Sequence, residues 1–302
     1  MRRAVIDVGS NSVLLLVAER QPTGWTTLLE TSAVTALGDG TKATGLLTEG
    51  AMTRTLAAIA EAHRRAHELG VDDIRTAATM AARIATNAPD FIARGLAQGT
   101  PITILSGEEE AELGFRSVAN DPIFAQYPRL SIIDPGGQST ELVTADRTED
   151  GWDVRFRRSY PIGTLGLKST TLAPEVLTPR EILSAVAEVD DRIGLAYRPG
   201  EGGHAVVLGA TGTNLVSIRD QLLTWQPELV HGAILDFEEV SKAVGWMMPM
   251  TNAERAAIPG MEPGREKTIH IGALILERFL NALKVLNCSV SIRGWRYALL
   301  DQ

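Results

Sequence analysis

The stretch Ala4-Val5-Ile6-Asp7-Val8-Gly9-Ser10-Asn11-Ser12 and the stretch Ser131-Ile132-Ile133-Asp134-Pro135-Gly136-Gly137-Gln138-Ser139 are two copies of one motif. Overlaid without a gap, Asp7 falls on Asp134, Gly9 on Gly136, Ser12 on Ser139 and Ala18 on Ala145. Each copy is an apolar run, an acidic residue, a turn of small residues and a second apolar run, which reads as strand, turn, strand. Such turns gather backbone N–H groups and hydroxyls, and glycine lets an anion approach the backbone closely. The aspartate at the end of each first strand offers the oxygen ligands that hard divalent cations take. Two such turns facing each other predict a cleft suited to a phosphoanhydride and a divalent metal.

The pattern outward from the repeat alternates strands and helices. In the first half, strands are expected over 3–8, 12–20 and the Thr- and Val-rich stretch from Trp25 to Leu37, then over Ile74–Ala78 and Ile102–Leu105. Thr48-Glu49 opens a helix ending near Leu69, Pro89 to Ala97 is helical, and Ser106-Gly107-Glu108-Glu109-Glu110 caps a helix to about Ala119. Asn120 to Pro128, with two prolines, reads as a hinge. The second half restarts with strands over 130–134, 139–145 and 152–160, and Thr178-Pro179 starts a helix to 194. A strand over Ala205–Leu208 runs into the small-residue loop Gly209-Ala210-Thr211-Gly212-Thr213. A long amphipathic helix spans about Arg265 to Leu286, followed by a short strand near Val290. The expectation is an α/β protein with an internal duplication, mixed sheets flanked by helices, and two domains over 1–124 and 125–302.

Composition narrows the class. The chain has 302 residues, 44% hydrophobic and 22% charged, as expected of a globular protein long enough for two domains. A net charge of −8 argues against a nucleic-acid-coating role, so a polyanionic substrate needs a local patch. Cys288 is the single cysteine, which rules out an intrachain disulfide and multi-cysteine metal sites. Apolar runs such as Val13–Ala18 are far short of a membrane span, and a cytoplasmic protein that binds no membrane is expected.

Several groups are placed for chemistry. Gly9, Ser10, Asn11, Ser12, Gly136, Gly137, Gln138 and Ser139 form the two turns, and Gly209, Gly212 and Thr213 mark a third small-residue loop after a strand. No Walker-type Gly-Lys-Ser/Thr occurs. The Glu108-Glu109-Glu110 triplet reads first as compensation of a helix dipole, and second as the source of a general base for an attacking water. Asp7, Asp134 and Glu141 are the candidate metal groups. Arg83 can clamp phosphate oxygens bidentately, with a surface ion pair as the plainer reading. Arg155, Arg157 and Arg158 read as a solvated strand face. His63 and His67, spaced i, i+4, lack the glutamate of a metal-binding helix motif and read as packing.

The motifs Asp-Val-Gly-Ser-Asn-Ser at 7–12, Ala-Thr-Met-Ala-Ala-Arg-Ile-Ala-Thr-Asn at 78–87, Ser-Gly-Glu-Glu-Glu-Ala-Glu-Leu at 106–113 and Asp-Pro-Gly-Gly-Gln-Ser-Thr-Glu-Leu at 134–142 fall in one order. Together they resemble the exopolyphosphatase / guanosine-pentaphosphate phosphatase (Ppx/GppA) family of the actin-like ATPase superfold. The resemblance implies two ribonuclease-H-like domains with the active-site cleft between them, and Mg²⁺-dependent removal of the terminal phosphate from inorganic polyphosphate, with Mn²⁺ as the alternative ion. By motif position Glu110 matches the catalytic glutamate. Asp134 and Glu141 match the acidic groups around the metal, with Asp7 a further candidate. Arg83, Gly136, Gly137, Ser139 and the loop 209–213 match phosphate-holding positions. Gln138 departs from the family pattern where a third glycine is usual, Pro135 where an aliphatic residue is usual, and Thr211 within the third loop. The chain ends soon after Arg293-Gly294-Trp295-Arg296, which implies that the extra C-terminal domains longer members use to hold long polyphosphate are missing, with short chains among the polyphosphate substrates expected. The competing readings are a guanosine pentaphosphate phosphohydrolase, a kinase of the same superfold, and a non-catalytic nucleotide or polyphosphate sensor; a homodimer is compatible with all of them.

Overall fold

In a computed structural model, described for residues 1–302 apart from 23 and 199, the chain divides into two compact units. Unit 1 is Met1–Leu113 with Trp295–Gln302, and unit 2 is Gly114–Gly294. The division lies inside the helix Gly107–Ala119, ahead of the 124/125 boundary read from the sequence, and the last residues of the chain return to unit 1.

Unit 1 is built on a five-stranded sheet: β1 (Arg2–Val8), β2 (Ser12–Gln21), β3 (Gly24–Val34), β4 (Asp73–Ala78) and β5 (Thr103–Ile104), in the order β3-β2-β1-β4-β5. The first three form an antiparallel meander, and β4 and β5 add in parallel. Alternate residues of a strand face opposite sides of a sheet. Ala4, Ile6 and Val8 of β1, with Val13, Leu15 and Val17 of β2, therefore share one core with Met52, Leu56 and Ile59 of the helix Glu49–Glu68. Val5, Leu16 and Ala18 face the other way and are covered by Trp295, Ala298, Leu299 and Leu300 of the C-terminal segment.

Unit 2 repeats the plan. Its strands are β6 (Arg129–Pro135), β7 (Thr140–Thr148), β8 (Gly151–Tyr160), β9 (His204–Val207), β10 (Ile234–Asp236) and β11 (Asn287–Val290), ordered β10-β11-β9-β6-β7-β8. Taken from β8 to β11, the order and directions match those from β3 to β5, and β10 adds one antiparallel edge strand. The helix Ile269–Leu283, buried along almost its whole length, forms the spine of the core with Ile133, Leu142, Val189 and Val207. The helix Pro179–Ile193 starts with the capping box between Thr178 and Glu181 that the Thr-Pro signal points to.

The duplication extends past the turns. The ladder irregularity between Val17 and Ala18 recurs between Thr144 and Ala145, the same two positions of the overlay. Gly24 and Gly151 each open the third strand at φ 125° and 142°, values that a side chain opposes. Trp25 and Trp152 follow them, with Arg20 and Arg147 stacked over the rings at 5.3 and 4.3 Å.

Candidate active site

In unit 1 the β1–β2 turn is closed by Gly9 N–H donating to the Ser12 carbonyl at 2.9 Å. A Cβ on Gly9 would sit 3.2 Å from that carbonyl oxygen, so the turn keeps its glycine by close approach of backbone. The Asn11 and Ser10 carbonyls are taken by a strap after β3: Thr35 and Ala36 N–H donate to Asn11, and Gly38 N–H donates to Ser10. The amide Nδ2 of Asn11 is buried and has no hydrogen-bond partner among the described residues. An unsatisfied buried donor is costly, and this one stands on the turn itself.

The glutamates of the triplet are placed differently. Glu108 and Glu109 are exposed, and Glu110 is buried. Glu109 caps its own helix: its carboxylate accepts from Ser106 N–H at 2.8 Å while Ser106 Oγ accepts from Glu109 N–H at 3.1 Å. The backbone hydrogen bond from Ser106 holds the Glu109 carboxyl below its ordinary range. Glu110 pairs with Arg83, Nη1 to Oε2 at 3.2 Å, and the same Nη1 donates to the Leu105 carbonyl at 2.6 Å. Both side chains are at most one-fifth exposed, so this is no surface ion pair. Arg83 comes from the short helix Met80–Ile84 directly after β4, which delivers it to the end of β5.

In unit 2 the β6–β7 turn closes in the same way, Gly136 N–H donating to the Ser139 carbonyl at 2.8 Å. The strap here is 164–166: Thr164 N–H donates to Gly136, and Leu165 and Gly166 N–H donate to Gly137. Gln138 is 1% exposed and is absent from the positive-φ residues, so its backbone does not demand the glycine usual at that point. The demand falls on Gly163 instead, where a Cβ would collide with the Gln138 backbone. Asp134 and Glu141 face each other in the β6–β7 register, and Ser159 Oγ donates to Glu141 at 2.6 Å.

The segment expected as a third loop is helical from its first residue: the helix is Gly209–Arg219, directly after Leu208. Glycines argue against helix by propensity, yet Gly209 takes φ 73° at the entry and lies against Asp134, whose Oδ1 would be 3.0 Å from a Cβ there. Gly212 serves packing, since a Cβ would strike Val207, and the Thr213 hydroxyl turns back to the Gly209 and Ala210 carbonyls. Of the three marked positions only Gly209 borders the candidate acids. Arg155 is engaged with Asp146 and Asp153, and His63 is buried against Thr76 at 2.9 Å. The sequence reading passed over Arg296, which sits 3.7 Å from Asp7, and the glycine at 163; the Gly-Trp pairs at 24–25 and 151–152 are a repeat signal that was present but unread.

The acids on the two turns offer oxygen only, which fits Mg²⁺ or Mn²⁺ rather than a thiolate- or imidazole-seeking metal. Among the described residues no three His, Cys, Asp or Glu side chains gather into a ready-made cage.

Comparison with known proteins gives the context. Residues 16–302 match the model of the Ppx/GppA phosphatase family. Exopolyphosphatase 2 of Mycobacterium tuberculosis is 29% identical over 297 residues, covering 94% of this chain and 91% of that one. The crystal structure of the Aquifex aeolicus Ppx/GppA family member superposes with a TM-score of 0.81 at 28% identity, covering 99% of this chain and 96% of that one. An exopolyphosphatase from Cytophaga hutchinsonii shares the fold at a TM-score of 0.86 and 20% identity, covering 100% of this chain and 97% of that one. Among the described residues no helix is long and apolar enough to cross a membrane. The duplicated sheets, the paired turns and the family match agree: the chain belongs to the Ppx/GppA phosphatase family, whose members hydrolyse phosphoanhydrides.

Proposed function

We propose that this chain is an exopolyphosphatase that removes the terminal phosphate of inorganic polyphosphate with the help of Mg²⁺, or Mn²⁺ in its place. The observation that carries the reading is the split between Glu109 and Glu110. One carboxylate is consumed by its helix, and the next is buried beside Arg83 and left to act as the base in this reading. In this reading water attacks the terminal phosphorus and gives its proton to Glu110. The bond from phosphorus to the bridging oxygen breaks, and the shortened chain leaves with the electron pair. The N–H groups of the turns, the Asn11 amide and Arg83 neutralise phosphate charge, which is most of the catalysis in phosphoryl transfer. Asp134 and Glu141 are the residues that would hold the divalent ion, with Asp7 a further candidate, and its charge would stabilise the phosphate oxygens.

The test is phosphate release from short polyphosphate, long polyphosphate, guanosine pentaphosphate and ATP, with and without Mg²⁺, for wild type and Glu110→Gln. The expected result is Mg²⁺-dependent turnover of polyphosphate, with kcat of the variant lower by about 10² to 10⁴ and KM little changed. Turnover of guanosine pentaphosphate with none of polyphosphate would overturn the substrate assignment. Loss of polyphosphate binding in Glu110→Gln would overturn the assignment of Glu110 as a base.

A further inference from the structure

The geometry points to Arg296, in the last turn of helix of the chain, as a positioning residue for Asp7. The inference rests on Asp7 belonging to the phosphate and metal machinery proposed above. Strand alternation turns Asp7 to the same face of the sheet as Val5, which is the face covered by Trp295, Ala298, Leu299 and Leu300. The helix Trp295–Leu299 thereby brings a guanidinium behind the acidic end of β1. Arg296 Nη1 stands 3.7 Å from Asp7 Oδ2, and Nη2 donates to Glu30 Oε1 at 2.5 Å. The Arg296 and Asp7 side chains are 8% and 11% exposed. One planar fork spans two carboxylates, a task for which a lysine point charge is a poor substitute.

Anchoring the C-terminal segment does not require this residue. Arg3 Nη1 donates to the Leu300 carbonyl, Trp25 Nε1 donates to Asp301 at 2.7 Å, and Arg20 pairs with Asp301 at 2.9 Å. Four apolar side chains of the segment are buried against the sheet besides. Arg296 meanwhile leaves its Nε buried with no hydrogen-bond partner among the described residues. A guanidinium used only as a fastener would be expected to satisfy its donors; this one is set between two acids at their expense. The second copy of the repeat is wired differently. The overlay puts Arg157 where the first copy has Glu30, and Glu141 where it has Leu14. Arg296 therefore serves the first turn alone: it fixes the Asp7 carboxylate and halves the negative charge of the Asp7–Glu30 pair.

The test compares Arg296→Gln, Arg296→Lys, Leu299→Ala and Asp7→Asn with wild type. It reads kcat and KM for polyphosphate, Mg²⁺ binding by calorimetry, and melting temperature. Positioning predicts that Arg296→Gln loses about 10- to 100-fold in kcat or Mg²⁺ affinity with KM near wild type, and that Arg296→Lys shows a smaller change in the same quantities. Leu299→Ala, which opens a cavity in the same helix, should lower the melting temperature at least as far and keep kcat and Mg²⁺ binding. If the Arg296 variants and Leu299→Ala lose activity only in proportion to their melting temperatures, the inference is overturned. Should Arg296→Gln not fold, Arg296→Lys decides: a lower melting temperature with unchanged kcat and Mg²⁺ binding refutes it. Wild-type kcat in Asp7→Asn would show instead that the underlying reading of Asp7 is wrong.

Discussion

The two turns share a backbone and differ in the charged groups set against it. Gly9 N–H meets the Ser12 carbonyl as Gly136 N–H meets that of Ser139, and each turn is strapped down by the N–H groups that follow its third strand. The ladder irregularities, the opening glycines and the Arg-over-Trp stacks recur in register. In contrast, Asp7 faces Leu14 across the ladder while Asp134 faces Glu141. Unit 1 brings in Glu110, Arg83 and Arg296 from outside the repeat, and unit 2 brings in Gly209. Duplication supplies the same turn backbone twice over, while the candidate acids differ between the copies and further candidate groups come from segments after them. A proton acceptor is needed once, and a second copy of it would only add repulsion between acids.

The largest test of that contrast is at the Leu14 and Glu141 pair. Glu141→Gln is expected to lower kcat about a hundredfold, close to 2.7 kcal/mol of barrier, with a higher Mg²⁺ requirement. Leu14→Gln, the same residue placed in the first copy, should leave kcat within about threefold. Equal losses in steady-state assays would mean that the copies are chemically equivalent.

The straps give the next test. Gly163 has no room for a Cβ because the Gln138 backbone fills the space, so Gly163→Ala should cost about 1 to 3 kcal/mol in denaturant unfolding and loosen the second turn. The first strap carries Ala36 at φ 50°, where an L-residue is strained. Ala36→Gly relieves that strain but makes the unfolded chain more flexible, and the two effects should cancel to within about 0.5 kcal/mol.

These contrasts mark what could be read from the sequence. The strand-turn-strand frame was legible because alternation and turn residues are local, and so were the helix Glu49–Glu68 and the Thr178 cap. Strand β10 was not, since three residues give no period to detect. The helical start at Gly209 was hidden because its glycine serves contact with Asp134 rather than helix propensity. The return of Trp295–Gln302 to the first sheet is a pairing across nearly the whole chain, and apolar spacing alone does not say which sheet a helix covers. At the candidate site, motif position singled out Glu110; the division of labour with Glu109 needed the cap geometry.

Acid stability should also differ between the units. His270, buried in the helix Ile269–Leu283 near Arg255 and Lys168, has its pKa pushed down to about 3, chiefly by burial. His63 in unit 1 is shifted down by burial and by His67. A histidine kept neutral in the fold leaves stability untouched above its ordinary value near 6.5. Below that value the unfolded chain takes up the proton first, and stability falls by about 1.4 kcal/mol per pH unit until about pH 3. His270→Leu should flatten that slope in unfolding measured between pH 6 and 5. His63→Leu should flatten it less, and the opposite order would place the acid-sensitive histidine in unit 1.

The smallest expected effect on turnover bears on adjacent glutamates. Glu109→Ala removes a carboxylate that accepts from Ser106 N–H, and the cap it completes is worth about 0.5 to 2 kcal/mol. Its loss should appear as a small drop in melting temperature with kcat unchanged, because the Glu109 side chain is exposed and engaged with its own helix end. Glu110, one residue on, points to the buried side where Arg83 meets it. A fall in kcat for Glu109→Ala as large as for Glu110→Gln would mean that the frayed helix end, rather than the identity of the base, limits turnover. The two assignments would then have to be merged into one.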